Sequence, residues 1–160
     1  MAKGDIERTV QQSVFDRLID PDPPTSMSES LRRLKHAVRR DLEWLLNTRR
    51  TPVPVPEAFP ELRRSVFQFG LPDITSLDRD SRPARERLRR QVQEAIGIFE
   101  PRLADVRVSI VDDDSPGAQR LRFVIEGLLR VDPTPEQVAF DTVLEFASGG
   151  YHVKGEGAGE

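Results

Sequence analysis

The spacing of apolar residues changes at Pro101, and that change constrains the fold more than any other feature of the chain. Upstream, Leu31, Leu34, Val38, Leu42, Leu45 and Leu46 recur at steps of three and four, while Arg32, Arg33, His36, Arg39, Arg40 and Glu43 fall elsewhere. Such spacing puts one apolar stripe along a helix and predicts that element from about Glu29 to Thr48. Ser26 followed by Glu29 makes a capping box, which satisfies amides at the helix start. A second stripe, Leu88, Val92, Ala95, Ile96 and Phe99, predicts a helix beginning near Ser81, with Pro83 tolerated in its first turn. It must stop at Glu100, because the residue before a proline is pushed out of helical geometry.

Downstream the period becomes two. Val106, Val108 and Ile110 alternate with Arg107, Ser109 and Val111; Leu121, Phe123, Ile125 and Leu129 alternate with Arg122, Val124, Glu126 and Arg130. Val138, Phe140, Thr142, Leu144 and Phe146 alternate with Ala139, Asp141, Val143 and Glu145. These are strand patterns, with Gly127 a candidate bulge, Gly149-Gly150 suited to a hairpin turn, and Tyr151–Val153 a short edge strand. Helices followed by strands predict an α+β fold: a small antiparallel sheet from the C-terminal half, with the N-terminal helices packed on one face.

Prolines punctuate the rest. Val14, Phe15, Leu18 and Ile19 have helical spacing over a turn or two, closed by Pro21, Pro23 and Pro24. Pro52, Pro54, Pro56 and Pro60 enforce an extended connector, and Glu61–Phe69 reads as a short helical turn leading into Gly70. The expected organisation is a flexible N-terminus over 1–12, one domain over 13–153 and a disordered Gly- and Glu-rich tail over 154–160.

With 160 residues the chain can bury a core unaided, and with no cysteine neither disulfides nor thiolate metal sites can brace it. No signal-peptide core opens the sequence and no apolar run is long enough to cross a bilayer, so a cytoplasmic protein without direct membrane insertion is expected. Charged residues make up 32% of the chain yet the net charge is −3, which disfavours a nucleic-acid partner. The arginine clusters at Arg32–Arg40, Arg49-Arg50 and Arg85–Arg90 are diluted by Asp41, Glu43 and Glu86 and lack interleaved aromatics.

Signatures of chemistry are thin. There is no phosphate-cradling glycine loop, and His36 and His152 lack partner motifs, so no cofactor is expected. Asp112-Asp113-Asp114 with Gly117 imitates a calcium loop, but position twelve is Phe123 instead of a bidentate glutamate, so no metal is expected. Glycoside hydrolysis requires two carboxylates; Glu100 is the natural general acid, with Asp105 or Asp112 as a second group. Arg102, two residues away, favours an ionised Glu100 if they pair, which is the wrong state for an acid.

The order of several segments resembles a known family. Ser13–Leu18 before a proline break, Val38–Arg50, Phe59-Pro60-Glu61-Leu62, Ser65-Val66, Phe69–Asp73, Ile98–Leu103 and Leu121–Leu129 look like the TssE family, the sheath-proximal baseplate subunits of type VI secretion systems. Glu100, Pro101 and Arg102 match the Glu-Pro-Arg motif shared with baseplate wedge proteins of contractile phages. The resemblance, over about 13–153, implies a structural subunit and not an enzyme. It implies TssF and TssG as wedge partners, and initiation of the TssB–TssC sheath by pairing of a strand edge. A wedge-assembly role for Glu100, Pro101 and Arg102 is implied too, with fold maintenance as the competing role. Because the phage family is also labelled lysozyme-like, a muramidase-like hydrolase using Glu100 is the alternative.

Overall fold

The computed structural model describes residues 10, 12–19, 22–74, 81–111, 120–146 and 148–155. Most of the two expected flexible ends and the whole Asp112–Gly117 loop lie outside the described residues. Three helices precede four strands: α1 Val14–Ile19, α2 Met27–Asn47, α3 Arg82–Phe99, β1 Leu103–Val111, β2 Arg120–Leu129, β3 Glu136–Glu145 and β4 Gly150–Lys154. Two short 3-10 turns, Pro60–Arg64 and Val66–Gln68, stand where a helical turn was expected.

The predicted stripe of α2 is buried at Leu34, Val38, Leu42, Leu45 and Leu46, and that of α3 at Leu88, Val92, Ala95 and Ile96. Fully removing one such side chain from water contributes about 1.5–3 kcal/mol, so these two faces supply much of the drive to fold. Ser26 caps α2 by accepting from the Glu29 amide at 3.2 Å. The reciprocal reach of Glu29 goes one residue further back than a capping box, to the Thr25 amide and hydroxyl at 2.9 and 2.7 Å. Those bonds, with Arg33 behind them, pull the Glu29 carboxyl down to about 2.

The sheet is an antiparallel meander in the order β1-β2-β3-β4. Val108, Leu121, Phe123, Ile125, Leu129, Val138, Phe140, Leu144, Tyr151 and Val153 join the buried residues of α2 and α3 in one core. The expected bulge lies on β1 and not at Gly127. Register slips between Ala104 and Arg107, and Asp105 adopts φ 51°. Gly127 is nonetheless explained by it, since a Cβ there would stand 3.1 Å from the Ala104 carbonyl.

The connector is tied back to the end of α2. Leu71 donates to the Thr48 carbonyl at 2.8 Å and Arg50 donates to the Leu71 carbonyl at 2.9 Å, forming a parallel bridge between Arg49 and Leu71. Gly70 makes the approach feasible: at φ 107° its missing Cβ would lie 2.2 Å from the Thr48 oxygen. Phe69 then packs edge-on against Phe99 of α3, ring centroids 5.3 Å apart.

Candidate functional site

Proline after α3 forces the chain to turn at the point where helix hands over to sheet. Glu100 is the C-cap of α3, and its amide still donates to the Ile96 carbonyl. Its side chain is buried, with 4% exposure. Arg102 folds back onto it as a fork, with Nε 2.6 Å from Oε1 and Nη2 2.5 Å from Oε2. The Arg102 amide adds a third bond to Oε1 at 3.3 Å, while its carbonyl accepts from the Arg130 amide just beyond β2. Burial alone would lower the pKa of the guanidinium; the Glu100 bonds and charge, helped by Asp41, outweigh it and hold the pKa above its ordinary value. Pro101 is exposed and sets the turn between the paired residues.

From Arg102 a chain of alternating charges crosses the molecule. Nη2 of Arg102 donates to Asp41 Oδ2 at 2.6 Å. Arg40 donates to the other Asp41 oxygen and pairs with Asp16 on α1 at 2.8 Å. Ser13 also donates to Asp16, and although partial burial acts to raise the Asp16 pKa, these partners bring it below its usual value. The Arg40 guanidinium lies 5.7 Å from the Phe15 ring centre and 5.0 Å from that of Trp44, a cation–π arrangement clamping α1 onto α2.

That clamp holds an unusual helix. None of the α1 residues is buried, and Val14, Phe15, Leu18 and Ile19 are all more than half exposed, as is Trp44 beside them. Six residues cannot bury an apolar stripe by themselves, so α1 leans on α2 through Asp16 and Phe15 and shows its remaining apolar surface to water. A cleft of about 420 Å³, lined by residues including Ile19, Leu34, Ala37 and Arg32, separates the two helices.

The borders of the sheet are the third feature. On β4, the Tyr151 amide donates to Asn47 Oδ1 and its carbonyl accepts from Asn47 Nδ2, both at 2.8 Å. On β1, the Val108 amide donates to Gln93 Oε1 at 3.3 Å and its carbonyl accepts from Arg89 Nη1 at 3.0 Å. Tyr151 and Val108 therefore point their peptide groups outward, and stepping the alternation through the Leu144 and Ile125 registers gives one consistent sheet. The same alternation turns Gln137 and Ala139 away from β2. Strand β4 covers only Asp141–Glu145 of β3, so among the described residues Glu136–Phe140 has no neighbouring strand on that side.

The other sequence candidates do not gather. Arg33 pairs with Glu29, Lys35 with Glu136 and Arg89 with Glu86, which breaks up the basic clusters. His36 is solvent-exposed, and His152 stands 3.8 Å from Glu43 on the surface. Asp105 occupies the β1 bulge, and Asp112 lies outside the described residues. Among the described residues no metal-binding group of His, Asp and Glu forms, and no helix is long and apolar enough to cross a membrane. Sequence reasoning found Glu100 and Arg102 but missed Asp16, Arg40 and Asp41; the available signal was a carboxylate, Asp41, placed directly before buried Leu42.

A comparison with curated proteins gave no match. A family profile described as baseplate wedge protein gp25 matches residues 32–134, a span running from α2 through the Glu100–Arg102 junction to the end of β2 and beyond. TssE subunits of type VI secretion systems fall in the same family. With most of the chain matched and the α+β order in place, this protein belongs to the baseplate wedge protein gp25 family.

Proposed function

We propose that this chain joins a type VI secretion wedge with TssF- and TssG-type partners and starts TssB–TssC sheath growth by strand pairing. A cytoplasmic place follows from that reading. The observation that carries it is the border of β3 that no strand covers among the described residues. Gln137 and Ala139 present two successive outward peptide groups, a template to which a foreign strand can add. Added there, a sheath strand would continue the line of β4 and extend the sheet by backbone bonds.

Ala139→Pro tests this directly. It deletes an outward amide without touching the β2–β3 ladder, a position where proline is tolerated. The variant should keep the wild-type circular dichroism and lose sheath assembly in cells; normal sheath growth would remove strand addition at this border.

Wedge contact belongs, on this reading, to the apolar face of α1 and Trp44. Glu100 is too buried to touch a partner, so its motif acts through Arg102, Asp41 and Arg40, which seat α1. Leu18→Asp, at an exposed position, should abolish co-purification of wedge subunits while leaving the melting temperature unchanged. The hydrolase alternative has no support from the geometry: Arg102 engages both Glu100 oxygens, and the carboxyl faces the protein interior instead of a substrate cleft.

A further inference from the structure

We infer that Asn47 and Gln93 are edge guards, which deny the two outer strands to other copies of this chain. An exposed strand edge is a template for any extended chain, its own twin included. In an antiparallel ladder every second residue along the outer edge is the one that exchanges two backbone bonds with an added strand. Strand β4 offers two such residues, Tyr151 and Val153, and the Asn47 amide occupies both groups of Tyr151. Strand β1 offers Val108 and Ile110 beyond its bulge, and Gln93 with Arg89 occupies both groups of Val108. Within the described strands this interrupts each border, leaving Val153 on β4 and Ile110 on β1 without the neighbouring outward pair.

The guards are braced. Arg89 Nη1 also donates to Gln93 Oε1 at 2.9 Å, and its remaining nitrogens are held by Glu86. Asn47 is fixed by a further bond from Nδ2 to the Glu43 carbonyl at 2.8 Å. Two helices thus cover opposite borders in related ways: one amide, Asn47, takes both groups of Tyr151, while Gln93 takes the amide and Arg89 the carbonyl of Val108. Among the described residues Gln137 and Ala139 carry no such cover, so the guards also decide where the sheet is receptive.

The test needs the purified chain alone, so it can fail without touching the sheath reading. Asn47→Ala and Gln93→Ala place a better helix former at each position. The double variant should associate with rising concentration in sedimentation velocity, where the wild type stays monomeric. In dilute solution the Tyr151 and Val108 amides should exchange about tenfold faster with the rest of the sheet unchanged. Asn47→Lys loses the same acceptor but sets a charge on the border, which blunts pairing, so this variant should remain monomeric. If the alanine and lysine variants associate alike, general loosening is responsible and the inference falls. It falls equally if the alanine variants stay monomeric.

Discussion

Arg102→Met would strand a carboxylate that has no other cation among the described residues. Glu100 is 3% exposed, and both its oxygens accept from the Arg102 fork. Removing one member of a buried ion pair costs about 3–5 kcal/mol, because the survivor keeps its desolvation penalty. The Arg102 side chain is 26% exposed, so water can follow the shorter methionine inward; about 3 kcal/mol is the expected loss. Glu100→Gln leaves Arg102 bonded to Asp41 and should cost about 1.5 kcal/mol. In the double variant the neutral glutamine needs no cation, and stability should return to within about 1 kcal/mol of Glu100→Gln alone. Equilibrium urea unfolding, with matched slopes, measures all four corners of this cycle. A loss below about 1 kcal/mol for Arg102→Met, or a strictly additive cycle, would show that the pair does not hold the junction. The motif would then have to act at an interface alone.

Gly70→Ala should cost about 3 kcal/mol or more, since it adds positive-φ strain and drives a methyl into the Thr48 carbonyl; a urea midpoint near wild type would contradict the bridge geometry. The Tyr151 hydroxyl is buried without a hydrogen-bond partner among the described residues, and burial pushes its pKa up. Tyr151→Phe should therefore be neutral or stabilising by about 1 kcal/mol, and clear destabilisation would mean the hydroxyl is satisfied after all. Asp16 titrates below its usual 3.8, so its hold on α1 is complete above that pH and fades as pH falls through the lower folded value. Trp44, the single tryptophan, reports the change: its fluorescence should shift below about pH 3.8 in the wild type and not in Asp16→Asn, and a flat wild-type trace would refute it.

The helices, the strands and the one-sided sheet were legible because each is written in a local period. The α2 stripe from Leu34 to Leu46 and the alternation of β3 from Val138 to Leu144 came out buried where the spacing put them, while Leu31 and Phe146 are only partly buried. Location of the bulge was not legible: Gly127 marks where β1 crowds its neighbour, while the kink is at Asp105, where the tolerance of Asp for positive φ is the one weak signal of φ 51°. The spacing of Val14, Phe15, Leu18 and Ile19 correctly implied an amphipathic helix, but not that it would stay exposed, because length and not period decides whether a helix can bury itself. The charge chain was invisible for a different reason. Arg102 and Asp41 are 61 positions apart, and no local rule links them. Asn47 and Gln93 look like ordinary polar helix residues until a strand border is placed beside them.

The Arg49–Leu71 bridge closes residues 50–70 into an appendage with a pinned neck. Lengthening such an excursion costs little once its neck is fixed, because closure entropy grows only with the logarithm of its length. Val53, Phe59 and Val66 lie on it, each more than half exposed. The 51–57 stretch of this lobe, which precedes the family-like segment 59–62, can therefore change in length while the registration of helices and sheet beneath it stays the same.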